Sequence, residues 1–193
     1  MNQTSSPRTS GGYLYPEVPR KQVETLIHYL PPRARILDLG AGFGNNCVPL
    51  LKAGHLVTAT ETNPEALQYL KGLTVEYPGQ LAVMEEPIQD LEETAKYDAI
   101  ICTMVLQFLP PAEARKAVKV IQEATKPGGY NVIINFLVTQ QLAPEFQFLL
   151  APDELKQFYS DWEIVDYEES YPIKPLDPKK VAKSAKLTAR KSL

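Results

Sequence analysis

Residues that fit buried strands and residues that fit amphipathic helices alternate along most of the chain. Apolar runs of strand length occur at residues 36–39, 56–61, 81–84, 97–104 and 130–138. Between these runs, apolar residues recur at the three- and four-residue spacing of a helix face. Strands that alternate with helices in this way are typical of βαβ units, which form a parallel sheet covered on both faces.

The predicted helices have recognisable ends. The first carries its apolar residues on one face and stops before Pro31, and a second is expected over residues 45–52. Asn63, placed before a proline, caps the third. The fourth begins at Pro110 and is expected to end at the glycine turn formed by residues 126–129.

After Thr139 the βαβ rhythm is lost. A short helix is predicted at residues 153–159, and strands at 162–167 and 187–190. Because no crossover helices separate these strands, they are expected to pair antiparallel at one edge of the sheet. The predicted fold is therefore α/β, a doubly wound, mostly parallel seven-stranded sheet with an antiparallel C-terminal edge.

Composition narrows the class of protein. The 193 residues suffice for one domain, expected at 13–193, after a polar tail at 1–12 that is expected to be disordered. A net charge of -3 gives no reason to expect nucleic acid or an anionic membrane as a partner. Neither a secretion signal nor a membrane-spanning run is found. A cytoplasmic protein that acts on a small molecule is expected.

Cysteine and histidine are scarce. Two of each are too few for a disulfide framework or a metal centre, so no metal is expected. Cys47 and Cys102 are predicted to be small core residues, although the place of Cys47 near a helix start also favours a thiolate. His28 and His55 are predicted to lie at the surface.

The chemistry of the chain centres on the motif ARILDLGAGFGNN, in which Gly40, Gly42 and Gly44 follow an apolar strand. A turn close under a ligand, or one with positive φ, has no room for a β-carbon. The dinucleotide-binding motif G-x-G-x-x-G would need glycine in place of Asn45. Asp38, inside the strand, also disfavours a pyrophosphate, but it suits a ligand with an ammonium or sulfonium group.

Glu61 adds a second acidic residue to this pattern. It ends the second strand, 23 residues after Asp38. In nucleotide-binding sheets, an acidic side chain at a spacing of about 20 residues accepts hydrogen bonds from the ribose. S-adenosylmethionine carries a ribose, an ammonium group and a sulfonium group, so the two acidic residues together indicate that cofactor.

These features resemble class I S-adenosylmethionine-dependent methyltransferases, whose glycine motif, acidic second-strand end, YDAI strand and KPGG turn all occur within residues 34–138. The resemblance implies that the glycine turn lies under the methionine part and that Glu61 holds the ribose. The implied cofactor-binding residues are Asp38, Gly40, Ala41, Gly42, Gly44, Asn45, Glu61, Thr62, Glu86, Pro87, Thr103, Met104 and Val105. Asp90 is an alternative to Glu86 beside the adenine, and the acidic run that contains both also fits a solvated surface.

A narrower resemblance covers nearly the whole chain. The segments TMVLQFL, TKPGGYNVII, FQFLLAPDELKQFYSDWEIVDYEE and LTARK are similar to the tellurite-resistance (TehB) methyltransferases. Members of that family methylate oxyanions of tellurium and selenium and some thiols. The family usually has a histidine and an arginine between its last two strands, whereas residues 170–183 contain neither. The resemblance therefore defines the cofactor end better than the substrate end.

The substrate end has candidates but no assignment. Each of the following residues fits either the substrate mouth or simple packing: Tyr13, Tyr15, Arg20, Gln107, Phe136 and Arg190. No catalytic base is identified, and a soft anionic acceptor needs none. Two hypotheses remain open, a small-molecule methyltransferase and a cofactor-binding but catalytically silent protein that acts through a partner or RNA. Either is compatible with a homodimer.

Overall fold

The computed structural model describes residues 9–10, 13–14, 20–86, 96–138, 146–171 and 183–193. Two short strands, Thr9–Ser10 and Tyr13–Leu14, pair antiparallel ahead of the main sheet. The rest of the predicted tail at 1–12 lies outside the described residues, as do the site candidates Tyr15, Pro87 and Asp90.

Seven strands form the main sheet. They are β1 Arg35–Leu39, β2 Leu56–Thr60, β3 Leu81–Met84, β4 Tyr97–Thr103, β5 Thr125–Phe136, β6 Glu163–Ser170 and β7 Ser184–Arg190. Their order across the sheet is β3-β2-β1-β4-β5-β7-β6. The first five pair parallel, and β7 runs antiparallel to both of its neighbours. The predicted fold class is confirmed.

Helices cover both faces of the sheet. They are α1 Lys21–Leu26, α2 Cys47–Lys52, α3 Pro64–Glu76, α4 Pro111–Ala124 and α5 Glu154–Phe158. One apolar core joins α1, α2 and α3 to the sheet, and a second joins α4 and α5 to its other face. Burial on both faces explains why β1 is an almost unbroken apolar run. No helix within the described ranges is long and apolar enough to cross a bilayer.

The chain reverses its direction of travel across the sheet at β1. From β1 it moves outward through β2 to β3, and it then returns to the other side of β1 to form β4 and β5. In open α/β sheets, such a switch point leaves a crevice beyond the carboxyl ends of the two central strands, and ligands bind there. The topology therefore places the crevice between the ends of β1 and β4.

Two helices are shorter than their apolar patterns. The helix α1 ends at Leu26 because the amides of His28 and Tyr29 bond to carbonyls three residues back instead of four. The helix α2 begins at Cys47, two residues later than predicted, because the glycine turn extends to Asn46, which is the N-cap.

The KPGG segment is not the turn that the sequence predicted, because it lies inside β5. The helix α4 ends at Ala124, and β5 begins at the next residue. The pairing of β4 with β5 shifts register after Tyr97, and Gly128 has a φ of +74°, as at a β-bulge. A β-carbon on Gly129 would lie 2.9 Å from the carbonyl oxygen of Asp98. These glycines serve the strand pairing.

His55 is buried, so the prediction that it lies at the surface is wrong. Its Nδ1 accepts a hydrogen bond from the Ala34 amide at 3.2 Å. Burial lowers the pKa of His55, which keeps the ring neutral and suits this acceptor role. The residue precedes β2, at the edge of the sheet opposite the crevice. Among the described residues, no group of His, Cys, Asp and Glu side chains is placed to hold a metal ion.

Candidate functional site

The glycine turn after β1 forms the first wall of the crevice. All three of its glycines have positive φ, +62° for Gly40, +55° for Gly42 and +76° for Gly44. A β-carbon on Gly40 would lie 2.5 Å from Val105 Cγ2, and one on Gly44 would lie 3.2 Å from Leu70 Cδ2. Nothing lies within 4 Å of the corresponding position on Gly42. The turn therefore packs against protein at its two ends and faces open space at its middle.

Glu61 directs its carboxylate to this open part of the turn. Its Oε2 accepts a hydrogen bond from the Gly42 amide at 2.7 Å. Its Oε1 accepts two more, from the amides of Thr62 at 2.7 Å and Asn63 at 2.8 Å. A carboxylate offers about four acceptor positions, so one remains on Oε2. A ribose diol donates two hydrogen bonds, so one of its hydroxyls would have to displace an amide from the carboxylate. The Gly42 amide is the candidate, because it is bound to Oε2, the same oxygen that has the free position.

Asp38 lies beneath the turn and is only 1% exposed. Its Oδ2 accepts a hydrogen bond from the Cys47 thiol at 3.1 Å. Burial raises the pKa of Asp38 to about 7 despite this hydrogen bond, and the charge of Glu61 adds to the rise. Asp38 is thus a support under the turn, one layer below its open face.

The two cysteines are buried core residues, as predicted. Burial and the neighbouring Asp38 carboxylate both raise the pKa of the Cys47 thiol. A raised pKa disfavours the thiolate, so the alternative interpretation of Cys47 as a reactive thiolate is wrong.

The turn after β4 forms the second wall and contains Thr103, Met104 and Val105. Met104 has a φ of +61°, which is uncommon for a residue other than glycine. Its amide donates to the Ile134 carbonyl at 2.8 Å, and its carbonyl accepts a hydrogen bond from Nε2 of the buried Gln107 at 2.9 Å. Strained backbone held by such bonds is concentrated at functional sites.

Asn46 joins the two walls. Its side chain is buried at the start of α2, where Nδ2 donates to Thr103 Oγ1 at 3.1 Å. Its Oδ1 accepts a hydrogen bond from the Arg20 amide at 3.3 Å, at the start of α1. The sequence prediction named Asn45 and missed Asn46. The two adjacent residues are alike in sequence, and only the exact start of the helix decides which side chain reaches β4.

Aromatic residues pack around Met104 in this wall. The rings of Phe136 and Phe146 lie 5.1 Å apart, and those of Phe108 and Phe146 lie 5.5 Å apart. Met104 and Leu149 pack against the same cluster. Phe136 was among the sequence candidates, whereas Phe146 was missed: it begins the family-like segment FQFLL, but nothing in that segment shows that its ring packs on Phe136.

The substrate candidates do not all share this edge. Gln107 and Phe136 lie in the second wall. Arg20 is linked to the site by the hydrogen bond from its backbone amide to Asn46 Oδ1. Arg190 pairs with Tyr130 at the opposite edge of the sheet. There its Nε donates to the Gly128 carbonyl and its guanidinium lies near Glu163. Tyr13 is described only as part of the short antiparallel pair.

The residues expected near the adenine follow β3. The Glu61 amide donates to the Met84 carbonyl at 3.1 Å, so the end of β3 lies beside the ribose-binding candidate. Glu86, two residues beyond Met84, is exposed, as is Thr62. Glu86 is therefore the candidate for the adenine side among the described residues.

The family model described as "Tellurite resistance protein TehB" matches residues 20–174, a range that contains both walls of the crevice and β1 to β6. The chain belongs to the TehB family. This membership confirms the resemblance seen in the sequence motifs.

Relatives of known name share part of their length with this TehB-family chain. Hemagglutinin 1 of Eikenella corrodens is 33% identical over 138 residues, which cover 70% of this chain and 46% of that protein. The probable S-adenosyl-L-methionine-dependent methyltransferase TehB of Haemophilus influenzae strain 10810 is 31% identical over 138 residues, which cover 70% of this chain and 48% of that protein. The chain thus spans about half the length of these relatives.

Solved structures agree with the fold. TehB from Haemophilus influenzae superposes with a TM-score of 0.80 and 28% identity, covering 90% of this chain and 62% of that chain. A Burkholderia thailandensis 1,6-didemethyltoxoflavin-N1-methyltransferase, solved with S-adenosylhomocysteine, gives a TM-score of 0.72 at 21% identity, covering 90% of this chain and 78% of that one. The second likeness shows the Rossmann-like methyltransferase fold alone.

The buried Asp38 carboxyl predicts a pH dependence of stability. Because its pKa is raised from 3.8 to about 7, the folded chain keeps a proton there that the unfolded chain has released. This stabilisation is full below pH 3.8 and is lost as pH rises through about 7. We expect the free energy of unfolding to fall by about 1 to 3 kcal/mol between pH 5 and pH 8 through this residue.

Urea unfolding at several pH values, followed by the fluorescence of Trp162, measures this effect. The Asp38→Asn variant should show a flatter pH profile than the wild type, and the exposed control Asp166→Asn should not. Parallel profiles for the wild type and Asp38→Asn would contradict the assignment.

Proposed function

We propose that this chain binds S-adenosylmethionine and transfers its methyl group to a small, soft, anionic acceptor such as a tellurite or selenite oxyanion or a small thiol. The observation that carries the proposal is the open glycine turn at Gly42 with the Glu61 carboxylate 2.7 Å from its amide. The family description and the names of two relatives support it.

The residues of the crevice fit this cofactor. The space above Gly42 accepts a ligand that lies directly on the backbone, where any side chain would intrude. Glu61 has an acceptor position free for a ribose hydroxyl. Glu61 suits the ribose of a nucleoside or of a dinucleotide. Asn45, which stands where the dinucleotide motif G-x-G-x-x-G needs its third glycine, argues against a dinucleotide.

When bound, the cofactor would supply a methyl group on a positively charged sulfur. The acceptor atom gives a lone pair to the methyl carbon as the bond from that carbon to the sulfur breaks, and the electron pair of the broken bond stays on the sulfur. An anionic acceptor has no proton to lose, so no base is required. The chain contributes mainly by alignment and by exclusion of water.

The second wall provides both contributions. Hydrogen bonds from the Met104 amide to Ile134 and from Gln107 to the Met104 carbonyl fix the backbone that faces the glycine turn. The cluster of Phe136 and Phe146 makes this side of the crevice apolar. We propose Thr103, Met104 and Val105 as the residues that flank the reacting methyl.

Glu61→Ala tests the assignment of the ribose site. Loss of hydrogen bonds to a charged group should weaken the binding of S-adenosylhomocysteine by about 1 to 3 kcal/mol, measured by isothermal titration calorimetry. The exposed control Glu76→Ala, at the other end of α3, should bind as the wild type does. Unchanged affinity in Glu61→Ala would mean that the ribose binds elsewhere.

Gly42→Ala and Gly54→Ala form a matched pair for the open turn. Both glycines have positive φ, +55° and +86°, and neither has an atom within 4 Å of its would-be β-carbon. Each substitution should therefore cost a similar 1 to 2 kcal/mol or so of stability from backbone strain. Only Gly42→Ala should also weaken the binding of S-adenosylhomocysteine, because Gly54 precedes β2 and lies at the end of the strands opposite the crevice. Equal effects on binding would contradict the proposed position of the cofactor.

Methyl transfer is tested with a panel of tellurite, selenite and small thiols. Formation of S-adenosylhomocysteine is followed by liquid chromatography and mass spectrometry, and volatile products by headspace mass spectrometry. We expect turnover with at least one member of the panel, its loss in Glu61→Ala and its retention in Arg190→Ala. If the cofactor binds but no methyl group leaves it across the panel, the catalytically silent alternative replaces this proposal.

A further inference from the structure

The hydrogen bond from Asn46 decides whether the Thr103 hydroxyl acts as a donor or as an acceptor at the crevice. Asn46 Nδ2 is the donor, 3.1 Å from Thr103 Oγ1, so the threonine oxygen acts as the acceptor. A threonine hydroxyl has one proton to donate and two lone pairs to accept with. The bond from Asn46 uses a lone pair and leaves the proton to be donated elsewhere.

No acceptor takes that proton within the part of the chain that the structure describes. Thr103 has no hydrogen bond there other than the one from Asn46. Its side chain is also only partly buried, unlike the fully enclosed Thr125, whose hydroxyl donates to a carbonyl in the core. Among the described residues, the Thr103 hydroxyl therefore has a proton that is free for a ligand.

Thr103 lies next to the glycine turn. Leu39 of β1 pairs with Cys102 of β4 in parallel register, as the last pair of that ladder, and the residues that follow them are Gly40 and Thr103. Two residues further on, Val105 Cγ2 occupies the space of a Gly40 β-carbon. The free hydroxyl proton is thus at the carboxyl end of β4, where the methyl acceptor has to meet the cofactor.

We infer that Asn46 is a positioning residue that holds the Thr103 hydroxyl as a hydrogen-bond donor to an oxygen or thiolate of the anionic methyl acceptor. This inference rests on the proposed function and deepens it. An acceptor that carries lone pairs and negative charge is favoured, because the hydroxyl, already an acceptor toward Asn46, offers it a proton. In this way the chain would select anions without the histidine and arginine that the family usually has between its last two strands.

A purely structural role for Asn46 makes a different prediction. Its Oδ1 also accepts a hydrogen bond from the Arg20 amide, so the side chain could serve only to fasten α1 to the sheet. Asn46→Asp separates the two roles. The substituted carboxylate keeps an acceptor for the Arg20 amide, but it replaces the donor to Thr103 by a second acceptor, which would capture the hydroxyl proton.

The experiment measures the binding of sodium selenite to the complex with S-adenosylhomocysteine by isothermal titration calorimetry, with no turnover required. Thr103→Val, which removes the hydroxyl, and Asn46→Asp should each weaken the binding of selenite about tenfold. This is the usual effect of one lost hydrogen bond to a charged group. Thr103→Ser, which keeps the hydroxyl, should bind selenite like the wild type. Each titration is made at a concentration of S-adenosylhomocysteine that saturates the variant, so that a change in cofactor affinity does not enter the selenite affinity.

The double variant Asn46→Asp with Thr103→Val decides whether the two residues act as one unit. If Asn46 acts through the hydroxyl, the double variant should bind selenite no more weakly than Thr103→Val alone. A further tenfold loss would mean that the added carboxylate simply repels the anion, and it would overturn the inference. So would wild-type affinity in Thr103→Val, or a wild-type complex with S-adenosylhomocysteine that takes up no selenite.

Failure of the proposed function has a different signature. If the wild-type chain does not bind S-adenosylhomocysteine at all, the cofactor assignment fails, and this inference fails with it. If the cofactor binds and only the selenite results disagree, the proposed function stands and the role of Asn46 and Thr103 is wrong.

Discussion

The hydrogen bond between the Gly42 amide and the Glu61 carboxylate joins the ends of the two strands on which the crevice depends. It links the turn after β1 to the residue that ends β2, at a distance of 2.7 Å. Gly42 has positive φ and no side chain, so its amide meets the Glu61 carboxylate while the space above the turn stays open. The shape of the first wall, which is also the floor of the crevice, and its negative charge therefore come from one contact.

The start of α2 ties this floor to the rest of the sheet. Cys47 reaches down to Asp38 on β1, and the preceding Asn46 reaches across to Thr103 on β4. Two consecutive residues thus connect one helix to both central strands. Sites supported by helices and strands hold their geometry more closely than sites supported by loops. Alignment is the main contribution that methyl transfer to an anion requires of a protein.

The sequence was sufficient for the fold and for the acidic glycine turn because both depend on local rules. Periodicity identified all seven strands of the sheet, and the spacing of Asp38 and Glu61 located the floor of the crevice. The sequence did not predict contacts between residues that are distant along the chain. The KPGG segment looked like a turn because nothing local shows that Gly129 must avoid the carbonyl of Asp98. Arg190 was a substrate candidate in the sequence, but the antiparallel register of β7 pairs it with Tyr130, away from the crevice.

The central claim is that the glycine turn of residues 40–44, with Glu61 beside it, binds a sulfonium nucleoside and not a dinucleotide. Calorimetric titration of the wild-type chain with S-adenosylmethionine and with NAD tests it most directly. We predict that S-adenosylmethionine binds at least about a hundredfold more tightly, a difference of roughly 2.7 kcal/mol. Equal affinities, or tighter binding of NAD, would contradict this claim.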